Sequence, residues 1–350
     1  MIKRGVSLYS YQQNEFFHTM DWKGQLREVA TNLHGADGIE IISECTIPRY
    51  PMPPESFIFE WNNEMARLGL NAVTMDTYMD TLQFRDHVLT IEECAERLKY
   101  DLRLASKLGF KIIRLCHNVP MRSVQLALPL AEELDIVMTN EIHAPSPIKP
   151  KRGVHYGETV ARDVAFIERT GTKHYGLQPD MGIFQRAPSR VTMAYYLRST
   201  MSPEDAYAAA NDLLAAHDEM EKGAFEEWVT KDFPQINAFF RTMLVEGSYA
   251  DPIDLYDIMP YIKCIHGKFY EMTEIEGKPG QYEDRSIRYP EVMAILSDCC
   301  YDGYINSEYE GQRSQQDMGY ENLPNEVEQV RRHHEMMKRL IEDETIHFKV

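Results

Sequence analysis

Eight short runs of strand length, mostly apolar or β-branched, recur along the chain, and stretches of helical spacing separate nearly all of them. This alternation constrains the fold more than any single motif. A helix between two strands carries the chain back to the edge where it started, so the strands must run parallel. The runs cover 3–9, 38–43, 70–76, 110–116, a segment within 134–145, 175–180, 261–266 and 303–308. The helical stretches carry boundary signals of their own. Asp21 is placed to cap a helix over 21–33, and Thr90 with Glu93 forms a capping-box pattern opening 90–108. Gly69, Gly109 and Gly171 close the stretches at 55–68, 90–108 and 157–169. Further helices are expected over 123–133, 289–299 and 325–343.

Eight such units in 350 residues match an α/β fold of one kind, the (β/α)8 TIM barrel. The rival, a doubly wound open sheet, usually has a glycine-rich turn after its first strand, but Tyr9-Ser-Tyr-Gln-Gln holds no glycine. One interval breaks the rhythm. Residues 186–258 contain no strand-like run and read as helices, including 202–222 with Pro203 in its first turn and 225–244 interrupted near Pro234. We expect one barrel domain over 1–350, with a helical insertion at about 186–258 between the sixth and seventh strands. The insertion should lie on the catalytic face, covering the site or making a subunit contact, with Tyr195-Tyr196 and Phe239-Phe240 buried.

In such a barrel, residues at the C-terminal ends of the strands converge from distant sequence. Those ends are Glu141 on the fifth strand, Asp180 on the sixth, His266 on the seventh and Glu308 on the eighth. Three carboxylates and one imidazole on four neighbouring strands can cage a divalent cation. Oxygen-rich ligation with one nitrogen and no thiolate favours Mn2+ or Mg2+, with Co2+ and Zn2+ as alternatives. Taken singly, each residue has a structural explanation, such as a helix-capping Asp180 or a core His266; the coincidence of all four carries the reading. Two residues further along lie His143, Lys268 and Glu310, which share the ligands' side of an extended chain. His143 is the candidate general base, because an imidazole titrates near neutrality. Lys268 and Glu310 are candidates for substrate contacts, or else polar rim residues. Tyr9, Glu40, Asp76 and His117, the polar groups at the ends of the first four strands, are candidates either to shape a sugar pocket or to bridge across the barrel mouth.

Acidic residues outnumber basic ones 55 to 37, a net charge of −18 that repels phosphate backbones and anionic membranes. No stretch resembles a signal peptide or a membrane span, and the six cysteines include no CxxC pair, as expected of free thiols in a cytoplasmic protein.

The order Glu, Asp, His, Glu over the last four strands resembles the xylose isomerase-like superfamily of sugar isomerases and epimerases. The motifs Asn140-Glu-Ile-His-Ala144, Gln178-Pro-Asp-Met-Gly182, Cys264-Ile-His-Gly-Lys268 and Asn306-Ser-Glu-Tyr-Glu310 carry the likeness over the whole chain. Simple epimerases lack a long interval between the Asp and His ligands and use two glutamates as acid and base. The interval 186–258, His143 beside a ligand and the opening Gly5-Val-Ser-Leu-Tyr-Ser-Tyr-Gln are more similar to the large (alpha) subunit of bacterial C-glycoside deglycosidases. That resemblance implies a lyase acting on 3-keto-C-glycosides, removing the C2 proton and eliminating an aromatic aglycone with help from one divalent metal. It also implies a small beta subunit and a higher oligomer. The alternatives are a metal-dependent sugar isomerase or epimerase and a sugar-binding or regulatory barrel without catalysis. A nuclease of the same superfamily is disfavoured by the acidic charge.

Overall fold

In the strands, side chains alternate between the two faces, and this pattern builds the molecule from the inside out. The computed structural model describes the chain except residues 117–118, 151–154, 235, 237–240, 242–243, 246–248, 317–318 and 344–350. Its eight-stranded sheet uses β1 (Lys3–Ser7), β2 (Ala36–Ile42), β3 (Asn71–Thr77), β4 (Ile112–Leu115), β5 (Val137–Ile142), β6 (Tyr175–Pro179), β7 (Ile265–Phe269) and β10 (Tyr304–Tyr309). The order is β6-β5-β4-β3-β2-β1-β10-β7, and every pairing is parallel. The free edges of β6 and β7 meet through the single bridges Leu177–Ile262 and Asp180–His266, which nearly close the barrel. A short hairpin, β8 (Met272–Glu274) and β9 (Tyr282–Asp284), fills a connection that the sequence marked only as a loop.

The helices that pack outside are α1 (Trp22–Asn32), α2 (Glu55–Leu68), α3 (Ile91–Leu108), α4 (Met121–Glu133) and α5 (Glu158–Thr170). The boundary signals act as expected: Asp21 caps α1 through the Gly24 amide, Thr90 and Glu93 complete the capping box of α3, and Gly69, Gly109 and Gly171 end α2, α3 and α5 in the left-handed conformation. Buried Trp61 on α2 packs against Phe110 and donates to the Leu108 carbonyl at 3.1 Å, fixing α2 to the end of α3. The barrel interior, by contrast, is polar: Glu40, Thr74, Asp76, Arg114, Thr139, Gln178, His266 and Asn306 are all buried. Gly5 faces this layer, where an added Cβ would lie 2.2 Å from Asn306 Oδ1.

The seventh strand departs from expectation. It begins at Ile265, so His266 is its second residue and not its end. The preceding residues are drawn into a 3-10 turn over Met259–Tyr261 and a bridge from Ile262 to β6, which shifts the strand toward the mouth. Between β6 and β7 lie α6 (Arg190–Leu197), α7 (Pro203–Glu219) and α8 (Lys222–Asp232), and no strand occurs over 186–258 among the described residues. The helix expected over 202–222 therefore ends at Glu219 and a new one starts at Lys222. These helices bury their own apolar cluster, including Met193, Leu197, Leu213, Phe225 and Val229, separate from that of the barrel. Tyr196 is partly buried against it while Tyr195 is 46% exposed, so the expected burial of the pair is not met in full; Phe239-Phe240 lie outside the described residues. No described helix is long and apolar enough to cross a membrane.

After β9 comes α9 (Tyr289–Asp298), and after β10 comes α10 (Glu326–Glu342), whose His333 reaches the barrel wall. It stacks on Phe269 with ring centroids 4.1 Å apart and contacts Ser307 Oγ and the Tyr289 hydroxyl, each at 2.8 Å. Burial, helped by Arg4, pushes its imidazole down to about 3. The unfolded chain takes up this proton near the ordinary value of 6.5, so it binds more protons than the folded chain as pH falls below that value. Stability is fully present above pH 6.5 and declines toward pH 3. Denaturant midpoints of wild type and His333→Gln at pH 7 and pH 5 check this: the pH-dependent loss should shrink in the variant, and an unchanged loss would contradict the assignment.

Candidate functional site

Side chains at the mouth are placed by where each strand stops. Glu141 is the penultimate residue of β5, Asp180 follows β6, and Glu308 is the penultimate residue of β10. All three aim at one atom, Nδ1 of His266: Glu141 Oε1 at 2.9 Å, Asp180 Oδ2 at 3.3 Å and Glu308 Oε2 at 3.2 Å. Asp180 Oδ1 meanwhile accepts the Gly182 amide at 2.6 Å, capping the turn Met181–Phe184 and fixing the carboxylate. On its other side, His266 Nε2 faces Glu40 Oε1 at 2.9 Å, and Glu40 is held in turn by Asn306 Nδ2 at 2.8 Å.

Charge this dense perturbs every group. Burial and the nearby Arg114 lower the His266 pKa, but Glu308, Glu40 and Asp180 outweigh them and raise it well above its ordinary value. Burial works against ionising Asp180, yet Lys268 and His266 hold its carboxyl down at about 2. For Glu308 burial wins, and its carboxyl rises to about 8. Asp180 Oδ2 and Glu308 Oε2 are buried, and the charged groups of His266 and Lys268 face them. Three convergent carboxylates and one imidazole nitrogen form a donor set that suits a hard divalent cation. Such a cation would take the His266 Nδ1 lone pair, with Glu40 accepting the Nε2 proton, the usual outer partner of a ligating histidine.

Lys268 is the second charge centre. It is 1% exposed, which rules out a place on the solvent rim. Its ammonium lies 2.9 Å from Asp180 Oδ2, 3.5 Å from Glu308 Oε2, 3.5 Å from Glu310 Oε2 and 2.8 Å from His143 Nε2. His143 Nδ1 lies 2.6 Å from the Ala144 carbonyl oxygen, so Nδ1 is the protonated nitrogen and the Nε2 lone pair accepts from the Lys268 ammonium. Tyr9 lines the same cavity, and burial, reinforced by Glu310, raises its phenol to about 12. The structure thus brings Glu141, Asp180, His266, Glu308, His143, Lys268, Glu310 and Tyr9 to one mouth; His117 lies outside the described residues.

Arg114 escaped the reading of strand ends because it sits inside β4. Its guanidinium clasps both oxygens of Asp76 at 2.8 Å, contacts Glu141 Oε1 and comes within 2.8 Å of His266 Nδ1. A charged residue flanked by Ile113 and Leu115 in a buried strand was the available signal. The cavity above this layer measures about 270 Å3, at the small end of ligand pockets and of a size for one sugar ring. The insertion supports its wall: Arg198 donates to the Ser314 carbonyl and Gln315 to the Tyr207 hydroxyl, in the turn Gly311–Gln315 that also carries Arg313.

No family model matches the chain. A curated protein from a Microbacterium species, the alpha subunit of 3'-dehydrocarminate deglycosidase, is 30% identical over 331 residues, covering 88% of each chain. The chain belongs to the C-glycoside deglycosidase alpha subunits. A second member, a C-glycoside deglycosidase alpha subunit from Arthrobacter globiformis, is 27% identical and covers 98% of this chain and 93% of its own. Among solved structures, a sugar phosphate isomerase/epimerase from Parabacteroides distasonis superposes with a TM-score of 0.52 at 11% identity, covering 97% of this chain and 94% of its own. An L-ribulose 3-epimerase gives 0.51 at 13% identity, covering 98% and 95%. These last two show the fold alone, a TIM barrel. The family's name covers deglycosylation of C-glycosides, and this mouth is where that reaction has its candidate residues.

Proposed function

We propose that this subunit cleaves the carbon–carbon bond between a 3-keto sugar and an aromatic aglycone. The observation that carries the reading is the convergence of Glu141, Asp180 and Glu308 on His266 Nδ1, with His143 Nε2 across Lys268 from them. Those four groups would hold one divalent cation, Mn2+ first and Mg2+ next, which when bound supplies positive charge to the oxygen of the sugar ketone.

The chain's own groups do the rest. Once bound sugar displaces the Lys268 ammonium from it, His143 Nε2 takes the proton from sugar C2, made acidic by the neighbouring C3 ketone, and the C–H electron pair moves onto the C3 oxygen. Collapse of that enolate restores the ketone, forms the C1=C2 double bond and breaks the bond from C1 to the aglycone. The aglycone carbon leaves with the electron pair and takes the proton back from His143, so the step is redox-neutral. Lys268 orients the imidazole and offsets carboxylate charge. Glu310 and Tyr9 hold sugar hydroxyls, a role that His117 shares on the sequence reading alone. The curated relatives are named as alpha subunits, and we extend that to a small beta subunit and a hetero-oligomer here. The insertion over 186–258, one part of a single barrel domain, stiffens the mouth near Arg313.

Incubating the purified protein with oxidised and unoxidised C-glycosides, followed by chromatography, tests this. Free aglycone should appear only from the 3-keto form. A rearranged sugar with its carbon–carbon bond intact would favour isomerase chemistry instead.

A further inference from the structure

The cavity at the mouth has two unlike halves. From β5, β7 and β10 it receives Glu141, His143, Lys268, Glu308 and Glu310, all charged or able to carry charge. From the first three strands come Tyr9, just past β1, Ile42 at the end of β2 and Tyr78 just past β3, with the Cys116 thiol beyond β4. Arg114 is the exception on that side, and its guanidinium is turned to Asp76 and Glu141. Burial raises both the Tyr78 phenol and the Cys116 thiol, so this wall is uncharged.

The apolar character continues outward over the same three connections. Phe16 after β1, Met52 after β2, and Leu82 and Phe84 after β3 are 72, 74, 70 and 50% exposed. Strands β1, β2 and β3 are neighbours in the sheet, so their connections share one side of the mouth. Four exposed apolar side chains thus lie on connections that border one side of the mouth.

We infer that Tyr78, with Ile42 and the Cys116 side of the cavity, forms the subsite for the aromatic aglycone, and that its ring stacks on the aglycone face. The inference rests on the deglycosidase reading and extends it to specificity. A cavity of about 270 Å3 has room for the sugar ring, so the aglycone extends from C1 along the wall that Tyr78 helps to line. The charged half holds the ketone and the base, and the aromatic half holds the leaving group. An aromatic ring offers a flat apolar surface that suits planar aglycones of varied substitution.

The test compares two probes on the full chain by calorimetric titration: a free dihydroxyflavone, and a methyl 3-ketoglucoside that lacks an aromatic aglycone. Tyr78 is 40% exposed and follows a strand, so its replacement leaves the core intact. Tyr78→Ala should lower the ratio of flavone to methyl-glucoside affinity about ten-fold, the worth of one aromatic stack with its buried area. Tyr78→Phe should keep the ratio within about two-fold, because the ring and not the hydroxyl makes the contact. An unchanged ratio in Tyr78→Ala would overturn the inference. So would an unchanged ratio accompanied by loss of the partner subunit, which would make this wall a subunit contact. Failure of the deglycosidase reading would look different: no aglycone released from any C-glycoside, with the flavone still bound through Tyr78.

Discussion

Replacing His266 with alanine should abolish binding of the divalent cation proposed for this site and lower aglycone release by roughly a thousand-fold or more, beyond the ~10–100-fold typical of outer-sphere partners. The size follows from position. His266 supplies the only nitrogen of the cluster, and three carboxylates approach its Nδ1 within 3.3 Å. Without the imidazole, Glu141, Asp180 and Glu308 remain as crowded carboxylates with Lys268 and Arg114 as counter-charges, an arrangement better neutralised by protons than by a metal. Asp180→Ala should behave in the same way and also loosen the turn over Met181–Phe184. Metal analysis of native protein should give roughly one equivalent per chain. Equal metal content in wild type, H266A and D180A would remove these residues from the metal site.

His143→Gln should retain metal and fold yet lose on the order of 10² to 10⁴ in rate, the usual worth of a general base. Glutamine keeps the polar reach toward Lys268 but offers no imidazole lone pair. The decisive readout is exchange of the sugar C2 proton with deuterated water, because it isolates proton removal from bond cleavage. Wild type should exchange C2 and H143Q should not. If H143Q exchanges and eliminates within a few-fold of wild type, the base lies elsewhere, and Lys268 and Glu310 are next to be examined. Lys268→Met separates orientation from proton transfer: it should slow the reaction while leaving the dependence on His143 in place.

Much of this site could be read from the sequence because a TIM barrel converts strand order into spatial neighbourhood. Eight alternating units bring the mouth-facing residues of the last four strands together, and Glu141, Asp180, His266 and Glu308 meet there although His266 is the second residue of its strand. The capping pattern at Thr90 and the glycines after α2, α3 and α5 worked for a similar reason, since their signals are local. What escaped depends on longer-range packing. The seventh strand slid because residues 259–262 found partners in a turn and on β6, which no periodicity in 261–266 encodes. Lys268 looked as though it could belong to the rim, because a lysine near a strand end is usually solvated; here three carboxylates from other strands make its burial tolerable. Arg114 carries no strand-end signal, because it ties Asp76 and Glu141 together from mid-strand.

The central claim is that this mouth removes the sugar C2 proton and so releases an aromatic aglycone from a 3-keto-C-glycoside. It is tested most directly by comparing aglycone release from such a substrate carrying hydrogen or deuterium at C2, with Mn2+ supplied. The account predicts slower release of aglycone from the deuterated substrate and none from a glycoside whose 3-hydroxyl is unoxidised. Release at equal rates from oxidised and unoxidised substrates, with no effect of deuterium, would contradict it.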